Sequence, residues 1–164
     1  MAEILVIDDE ASIRTGLETF LAIRGHHASL AASLAQGQAL AKVITFDAVL
    51  LDVFLQEEDG LDWFSLVGTR PVPVLVLSGQ ADLATAVKAI QKGAFDFLEK
   101  PLDPIRLSQT LDRALEHGRL VGQVQKLREE LVQKRFVVGE SPRMAELMHL
   151  LGRVAPSPLS LLIT

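Results

Sequence analysis

Short apolar runs alternate with amphipathic stretches through the first 118 residues of the chain. The apolar runs are Ile4–Ile7, Ala28–Ala31, Ala48–Leu51, Val72–Leu77 and Phe95–Leu98. Helical spacing of apolar positions covers about 11–24, 33–44, 59–68 and 82–92, and a further helix begins near 104. Apolar runs without strict alternation are typical of strands buried on both faces of a parallel sheet. Five successive β/α units predict an open, doubly wound α/β domain, with strand order 2-1-3-4-5 if it is flavodoxin-like.

The fifth predicted helix continues beyond the end of such a domain. It begins at Pro104, a favourable first-turn residue, and helical character extends to about Lys134. Apolar residues recur along it with the 4-3-4 spacing of a coiled coil, at Leu120, Val124, Leu127 and Leu131. This seam favours a homodimer formed through the helix. The alternative is an amphipathic helix that packs on its own domain.

A third segment begins at Phe136. Ser141 and Pro142 form a helix-start signal, and an apolar helical face follows at Met144, Leu147, Met148 and Leu151. Residues 159–164 form an apolar run that predicts a strand. The chain is therefore divided into an α/β domain at 1–118, a linker helix at 119–135 and the start of another domain at 136–164.

Composition narrows the classes of function. Hydrophobic residues make up 49% and charged residues 23% of the chain, which is typical of a soluble globular protein. The absence of cysteine excludes disulfides, thiolate metal sites and cysteine nucleophiles. No apolar run is long enough to cross a bilayer, and the N-terminus lacks a signal-peptide pattern, so we expect a cytoplasmic protein without membrane association. The net charge of −5 argues against direct binding of nucleic acid.

Polar residues follow the predicted strands at the ends where open α/β sheets place their sites. Asp8 and Asp9 follow the first strand, Asp52 the third, Ser78 the fourth and Lys100 the fifth. Three converging carboxylates repel one another and need a compensating charge, for which Mg²⁺ with oxygen ligands is suited. Lys100 adds a second positive charge. The pattern predicts a pocket that holds a phosphoryl group between metal and ammonium, with Asp52 as the nucleophile.

Three segments, "ILVIDDE", "VLLDVFLQEEDGLDWF" and "PVLVLSGQADLATAVKAIQKGAFDFLEKPLD", resemble the receiver domain of bacterial two-component response regulators over about residues 2–118. The resemblance implies that Asp52 takes a phosphoryl group from a sensor histidine kinase in a Mg²⁺-dependent, self-catalysed reaction. It also implies a regulatory phosphoacceptor rather than an enzyme. Phosphorylation would then change the surface of the fourth helix, fifth strand and fifth helix.

The resemblance also implies individual roles. The metal ligands would be Asp8, Asp9, Asp52 and the backbone carbonyl of Phe54, with Asp8 acting mainly through water. Ser78 would be the switch hydroxyl and Phe97 the switch aromatic residue. Lys100 would contact the phosphoryl group and precede a cis peptide bond to Pro101.

The segment "VVGESPRMAELMHLLGRVAPSPLSLLIT" resembles the opening of the AAA+ domain of NtrC-type activators of σ54 RNA polymerase. The resemblance implies part of a longer regulator of transcription, in which ATP, σ54 RNA polymerase and DNA are bound only by portions absent from this chain. No Gly-rich phosphate-binding turn occurs between Phe136 and Thr164, so we expect the chain neither to bind nor to hydrolyse ATP.

The sequence departs from the family pattern after Asp52. Gln56 replaces the usual proline, and Glu57 and Glu58 replace a common Gly-Met pair, with an effect on phosphorylation that stays open. Three alternatives also stay open. One is a Mg²⁺-dependent phosphohydrolase, although no Asp-x-Asp follows the first strand. The others are a degenerate receiver that serves only in dimerisation, and a nucleotide or flavin module, although no Gly-rich turn follows the first strand.

Overall fold

The computed structural model describes residues 1–56, 58–66, 72–79 and 83–135, with side chains of the last helix described through Arg128. The strands are β1 (Glu3–Ile7), β2 (His27–Ala31), β3 (Ala48–Asp52), β4 (Phe54–Leu55), β5 (Glu58–Asp59), β6 (Val74–Ser78) and β7 (Asp96–Glu99). The helices are α1 (Ala11–Ile23), α2 (Leu34–Val43), α3 (Trp63–Leu66), α4 (Leu83–Gln91) and α5 (Pro104–Arg135). A 3₁₀ turn at Gly60–Asp62 leads into α3.

Five parallel strands form one sheet in the order β2-β1-β3-β6-β7. Counted among themselves, these strands have the order 2-1-3-4-5, so the predicted fold class is confirmed. The short strands β4 and β5 form a separate antiparallel hairpin.

Apolar side chains cover both faces of the sheet. Side chains alternate between the two faces along a strand, so Ile4 and Val6 contribute to one core while Leu5 and Ile7 contribute to the other. The first core is closed by α1 and α5, through Leu17, Leu21, Leu107 and Leu111. The second is closed by α2, α3 and α4, through Leu34, Trp63 and Ala89. This double coverage explains why the strands are continuous apolar runs in the sequence.

Two regions of the structure differ from the prediction. The hairpin formed by β4 and β5 was not predicted, because two-residue strands leave no periodic pattern in a sequence. The helix predicted at 59–68 begins as a 3₁₀ turn and becomes α-helical only at Trp63, and residues 67–68 lie outside the described part.

The chain divides into two compact units between Val124 and Gln125, a point that lies within α5. The described part of the second unit is the helical segment Gln125–Arg135. The predicted segment boundaries at 118 and 135 stay predictions. The helix start at Ser141, the apolar face that follows it and the strand at 159–164 lie outside the described residues. Among the described residues, no helix combines the length and apolar character needed to cross a membrane.

Candidate functional site

Four polar residues named from the sequence lie at one edge of the sheet. Asp8 follows β1 directly, Asp52 ends β3, Ser78 ends β6 and Lys100 follows β7. Asp52 is paired with Leu77, so Ser78 lies one residue further along the neighbouring strand. The parallel arrangement therefore brings the carboxyl ends of four strands, and these side chains, to the same edge.

Three carboxylates cluster at this edge. Asp8, Asp9 and Asp52 each offer an oxygen, and these oxygens all lie within 4.8 Å of one another. Asp8 is completely buried, Asp52 is 5% exposed and Asp9 is half-buried. Clustered carboxylate oxygens fit Mg²⁺, a hard cation that proteins typically bind through one or two carboxylates together with water.

Lys100 connects two members of the cluster. Its Nζ donates hydrogen bonds to Asp8 Oδ2 at 2.7 Å and to Asp52 Oδ2 at 2.6 Å. Burial by itself disfavours the ammonium, but the hydrogen bonds to Asp52 and Asp8 outweigh burial and raise the pKa of Lys100. Burial also raises the pKa of Asp8, against the opposing effect of the hydrogen bonds from Lys100 and from the Glu10 amide. The ammonium thus compensates the cluster only in part.

Backbone contacts hold Asp8 in place. The Glu10 amide donates to Asp8 Oδ1 at 2.8 Å, and the Asp8 amide donates to the carbonyl of Ala31 at 3.1 Å. Arg14, half-buried on α1, donates from Nη1 to the Asp8 carbonyl at 2.5 Å. The sequence pattern did not predict this role of Arg14. Its spacing from the acidic pair, about one turn into the following helix, was the signal that could have indicated it.

The loop after Asp52 folds back against the strand that it leaves. The Phe54 amide donates to Asp52 Oδ1 at 3.1 Å, and the Gly60 amide donates to the Val53 carbonyl at 2.7 Å. A Cβ at position 60 would lie only 1.9 Å from the Asp52 carbonyl oxygen. This close approach of two backbone segments requires glycine and fixes the path of the hairpin next to the carboxylate.

The remaining predicted site residues lie in the neighbouring strands. Ser78 is fully buried, and its carbonyl accepts a hydrogen bond from the Lys100 amide at 2.7 Å. Phe97 is half-buried and packs against the core beneath α2, α3 and α4. The Lys100–Pro101 peptide bond is cis, as the family resemblance implied.

The apolar seam predicted for dimerisation lies on α5, later in the chain than every residue of the carboxylate cluster. Leu120, Val124 and Leu127 are each about half exposed in the isolated chain. The side chain of Leu131 lies outside the described residues. Three apolar side chains at heptad spacing thus remain accessible to solvent.

Comparison with known proteins identifies the α/β domain. Residues 4–112 match the model of the response regulator receiver domain. The transcriptional regulatory protein ZraR of Salmonella typhimurium is 36% identical over 163 residues, which cover 98% of this chain but only 36% of ZraR. The chain therefore spans about a third of the length of the curated relatives it matches.

Solved structures give the same assignment. Crystalline NtrX from Brucella abortus, in complex with ATP, is 36% identical and superposes with a TM-score of 0.72, over 95% of this chain and 35% of NtrX. The beryllofluoride-activated NtrC4 receiver domain dimer is 35% identical, with a TM-score of 0.68 over 72% of this chain and 99% of that receiver. The matched family, the sheet order and the relatives agree, and the chain belongs to the response regulator receiver family, among receivers similar to those of NtrC-like regulators.

Proposed function

We propose that Asp52 accepts a phosphoryl group from the phosphohistidine of a sensor histidine kinase in a Mg²⁺-dependent reaction. The observation that carries this proposal is the shared ammonium of Lys100, which binds both Asp52 and Asp8 within a cluster of three carboxylates. Phosphoryl transfer depends mainly on positioning and on stabilising charge, and this edge of the sheet supplies both.

In the proposed reaction, an oxygen of Asp52 forms a bond to phosphorus while the P–N bond of the donor breaks. The donor imidazole leaves with its electron pair and is neutralised by a proton. Asp8, Asp9, Asp52 and the carbonyl of Phe54 would hold Mg²⁺, which supplies neutralisation of the negative phosphoryl oxygens. Lys100 already contacts Asp52 and would bind an oxygen of the group transferred to it.

The decisive test is intact-mass analysis after incubation with acetyl phosphate and Mg²⁺. We expect one phosphoryl group on the unmodified chain and none on Asp52→Asn. Asp47→Asn, the same substitution at the opposite edge of the sheet, is the matched control and should be labelled normally. Labelling that persists in Asp52→Asn would contradict the assignment of the phosphoacceptor. Turnover of a phosphomonoester at many equivalents per chain would instead favour the phosphohydrolase.

Ser78 and Phe97 would convert phosphorylation into a change of surface. We propose that the Ser78 hydroxyl binds the phosphoryl oxygens and that Phe97, which is half-buried, moves inward. The surface formed by α4, β7 and the start of α5 would change as a result. Phe97→Ala should leave labelling of Asp52 intact but reduce the phosphorylation-dependent chemical-shift changes in α4, as measured by NMR.

We also propose that the chain forms a homodimer through the seam on α5. The exposure of Leu120, Val124 and Leu127 supports the seam as the interface. The dimeric state of the similar NtrC4 receiver supports dimerisation, without indicating which surface is used. Leu127→Asp should give monomers in light scattering, because it introduces a charge into an apolar interface. Gln125→Asp adds the same charge beside the seam and should leave the dimer intact. A dimer unaffected by Leu127→Asp would move the interface to the surface of α4, β7 and α5.

The wider role of the chain is also a proposal. The chain would consist of a receiver at 1–118, a linker helix at 119–135 and the start of an AAA+ domain at 136–164. The similarity to ZraR supports a role in transcriptional regulation, because it extends over 98% of this chain and so beyond the receiver. The receiver would control a σ54-dependent transcriptional activator in the cytoplasm, with ATP, RNA polymerase and DNA bound by other portions. An equilibrium dialysis experiment should detect no ATP binding by the present chain.

A further inference from the structure

We infer that Glu58 is a positioning residue for the phosphoryl site, because its carboxylate ties the hairpin after Asp52 to the N-terminus of α2. The inference rests on the proposed function of Asp52 and names a residue through which the metal-binding loop is held. It also gives a role to one of the positions at which the sequence departs from the receiver pattern.

The contact joins two distant parts of the chain. Glu58 Oε2 accepts a hydrogen bond from the amide of Leu34 at 2.9 Å, across 24 positions in the sequence. Leu34 is the first residue of α2, and its amide belongs to the first turn, where no partner exists within the helix. A carboxylate at this end of a helix is also favoured by the helix dipole.

Local residues satisfy other donors at this helix end. Ser33 Oγ accepts from the Gln36 amide at 3.3 Å, and Gln36 Oε1 accepts from the Ala32 amide at 2.8 Å. The Leu34 amide is instead bound by Glu58. The side chain of Glu58 therefore points to α2, and Glu58 is not among the clustered carboxylates Asp8, Asp9 and Asp52.

The hairpin that carries Glu58 needs such an anchor. Its two strands contain two residues each, and an isolated hairpin of this size is not stable. Leu55, paired directly with Glu58, is buried in the core, whereas the ring of Phe54 is half exposed. One strand is thus held by apolar packing at Leu55. The facing strand is held just beyond its end, where the Gly60 amide binds the Val53 carbonyl, and at its start by the hydrogen bond of Glu58.

The hairpin begins at the acidic cluster. The Phe54 amide binds Asp52 Oδ1, and the Phe54 carbonyl is the proposed metal ligand on this loop. Groups that orient metal ligands affect metal affinity strongly even when they do not touch the metal. Loss of the Glu58 contact should therefore loosen the backbone at Phe54 and weaken Mg²⁺ binding, with little effect on the carboxylates themselves.

The test compares Glu58→Met, which keeps the length of the side chain but removes the acceptor, with Glu58→Gln, which keeps an acceptor oxygen. Hydrogen exchange of the Leu34 amide, measured by NMR without metal, should accelerate in Glu58→Met and remain slow in Glu58→Gln. The dissociation constant for Mg²⁺, measured by Trp63 fluorescence, should rise about tenfold in Glu58→Met. This is the lower end of the range found when residues that orient metal ligands, without touching the metal, are replaced. Glu58→Gln should bind Mg²⁺ almost as tightly as the unmodified chain. Glu18→Met, on the exposed face of α1, is the control and should change neither quantity.

Two outcomes would overturn the inference. Unchanged exchange at Leu34 in Glu58→Met would show that the hydrogen bond does not hold α2. Faster exchange with unchanged Mg²⁺ affinity would reduce Glu58 to a helix cap. Both readouts are independent of phosphorylation, so labelling that survives Asp52→Asn would contradict the proposed function without deciding the role of Glu58.

Discussion

The sheet carries acidic residues at both of its edges, and the two sets are compensated in different ways. At the edge where the strands begin, Glu3 Oε1 is bound by Ser29 Oγ at 2.9 Å and His27 Nδ1 at 2.8 Å, and Asp47 Oδ2 accepts from the Glu3 amide at 2.8 Å. These groups are exposed or partly exposed to solvent. Each carboxylate there has water and donors of its own.

At the edge where the strands end, two largely buried carboxylates share one ammonium. Asp8 and the side chain of Asp52 are almost completely buried, and Lys100 is only 15% exposed. Burial of charge without full compensation is costly. Acidic residues alone therefore do not mark a site. A site is indicated where several carboxylates are buried beside too few cationic groups to neutralise them, because a bound cation then stabilises the fold.

The largest effect is expected from removal of the shared ammonium. Lys100→Met leaves Asp8 and Asp52 buried without a counter-charge, so the free energy of unfolding in metal-free buffer should fall by about 3 kcal/mol, the lower end for breaking a buried ion pair. His27→Gln, at the opposite edge, should cost well under about 1 kcal/mol. Urea unfolding in the presence of a chelator measures both. Equal losses of unfolding free energy in Lys100→Met and His27→Gln would show that charges at the two edges are compensated to the same extent.

The next effect is the response to the metal. Mg²⁺ at about 100 times its dissociation constant should stabilise the unmodified chain by about 2.7 kcal/mol, because only the folded chain has the site. Asp9→Asn should weaken this response more than Glu10→Gln does, since Glu10 lies outside the carboxylate cluster. Thermal unfolding with and without Mg²⁺, together with titration of Trp63 fluorescence, checks the order. Equal effects of the two substitutions would contradict the choice of Asp9 as a ligand.

A smaller effect of opposite sign is expected at Asp8. Asp8→Asn should stabilise the metal-free fold at pH 7, because burial raises the pKa of Asp8 above its ordinary value of 3.8. A raised pKa means that the stability contributed by protonated Asp8 is fully present below pH 3.8 and is lost as pH rises through the folded value. The advantage of the variant should therefore vanish below pH 3.8, grow as pH rises from there through the folded pKa, and stay constant at higher pH. An advantage that does not change with pH in urea unfolding would show that the charge of Asp8 is not its cause.

The two edges also differ in how far the sequence predicted them. Buried parallel strands have long apolar runs, so the fold and the convergence of Asp8, Asp52, Ser78 and Lys100 follow from strand order alone. The contact of Arg14 with the Asp8 carbonyl and that of Glu58 with α2 were not predicted. Both depend on side-chain direction and on the path of a loop, which periodicity does not encode. In the sequence, Glu58 was only a departure from the family pattern, whereas the structure directs its side chain to α2.

The smallest effect is expected from the same chemical change at the opposite edge. Asp47→Asn keeps an oxygen that can accept from the Glu3 amide, and the group lies where water compensates its charge. The free energy of unfolding should therefore change by less than about 0.5 kcal/mol, as for most surface substitutions. The variant should also retain the full response to Mg²⁺, in contrast to Asp9→Asn.

Asp8→Asn and Asp47→Asn each remove one negative charge by the same replacement. The difference between their unfolding free energies, measured in urea without metal, therefore isolates the effect of burying a carboxylate beside other carboxylates. Stabilisation by Asp47→Asn equal to that by Asp8→Asn would mean that the net charge of −5, rather than the buried cluster, is what destabilises the chain.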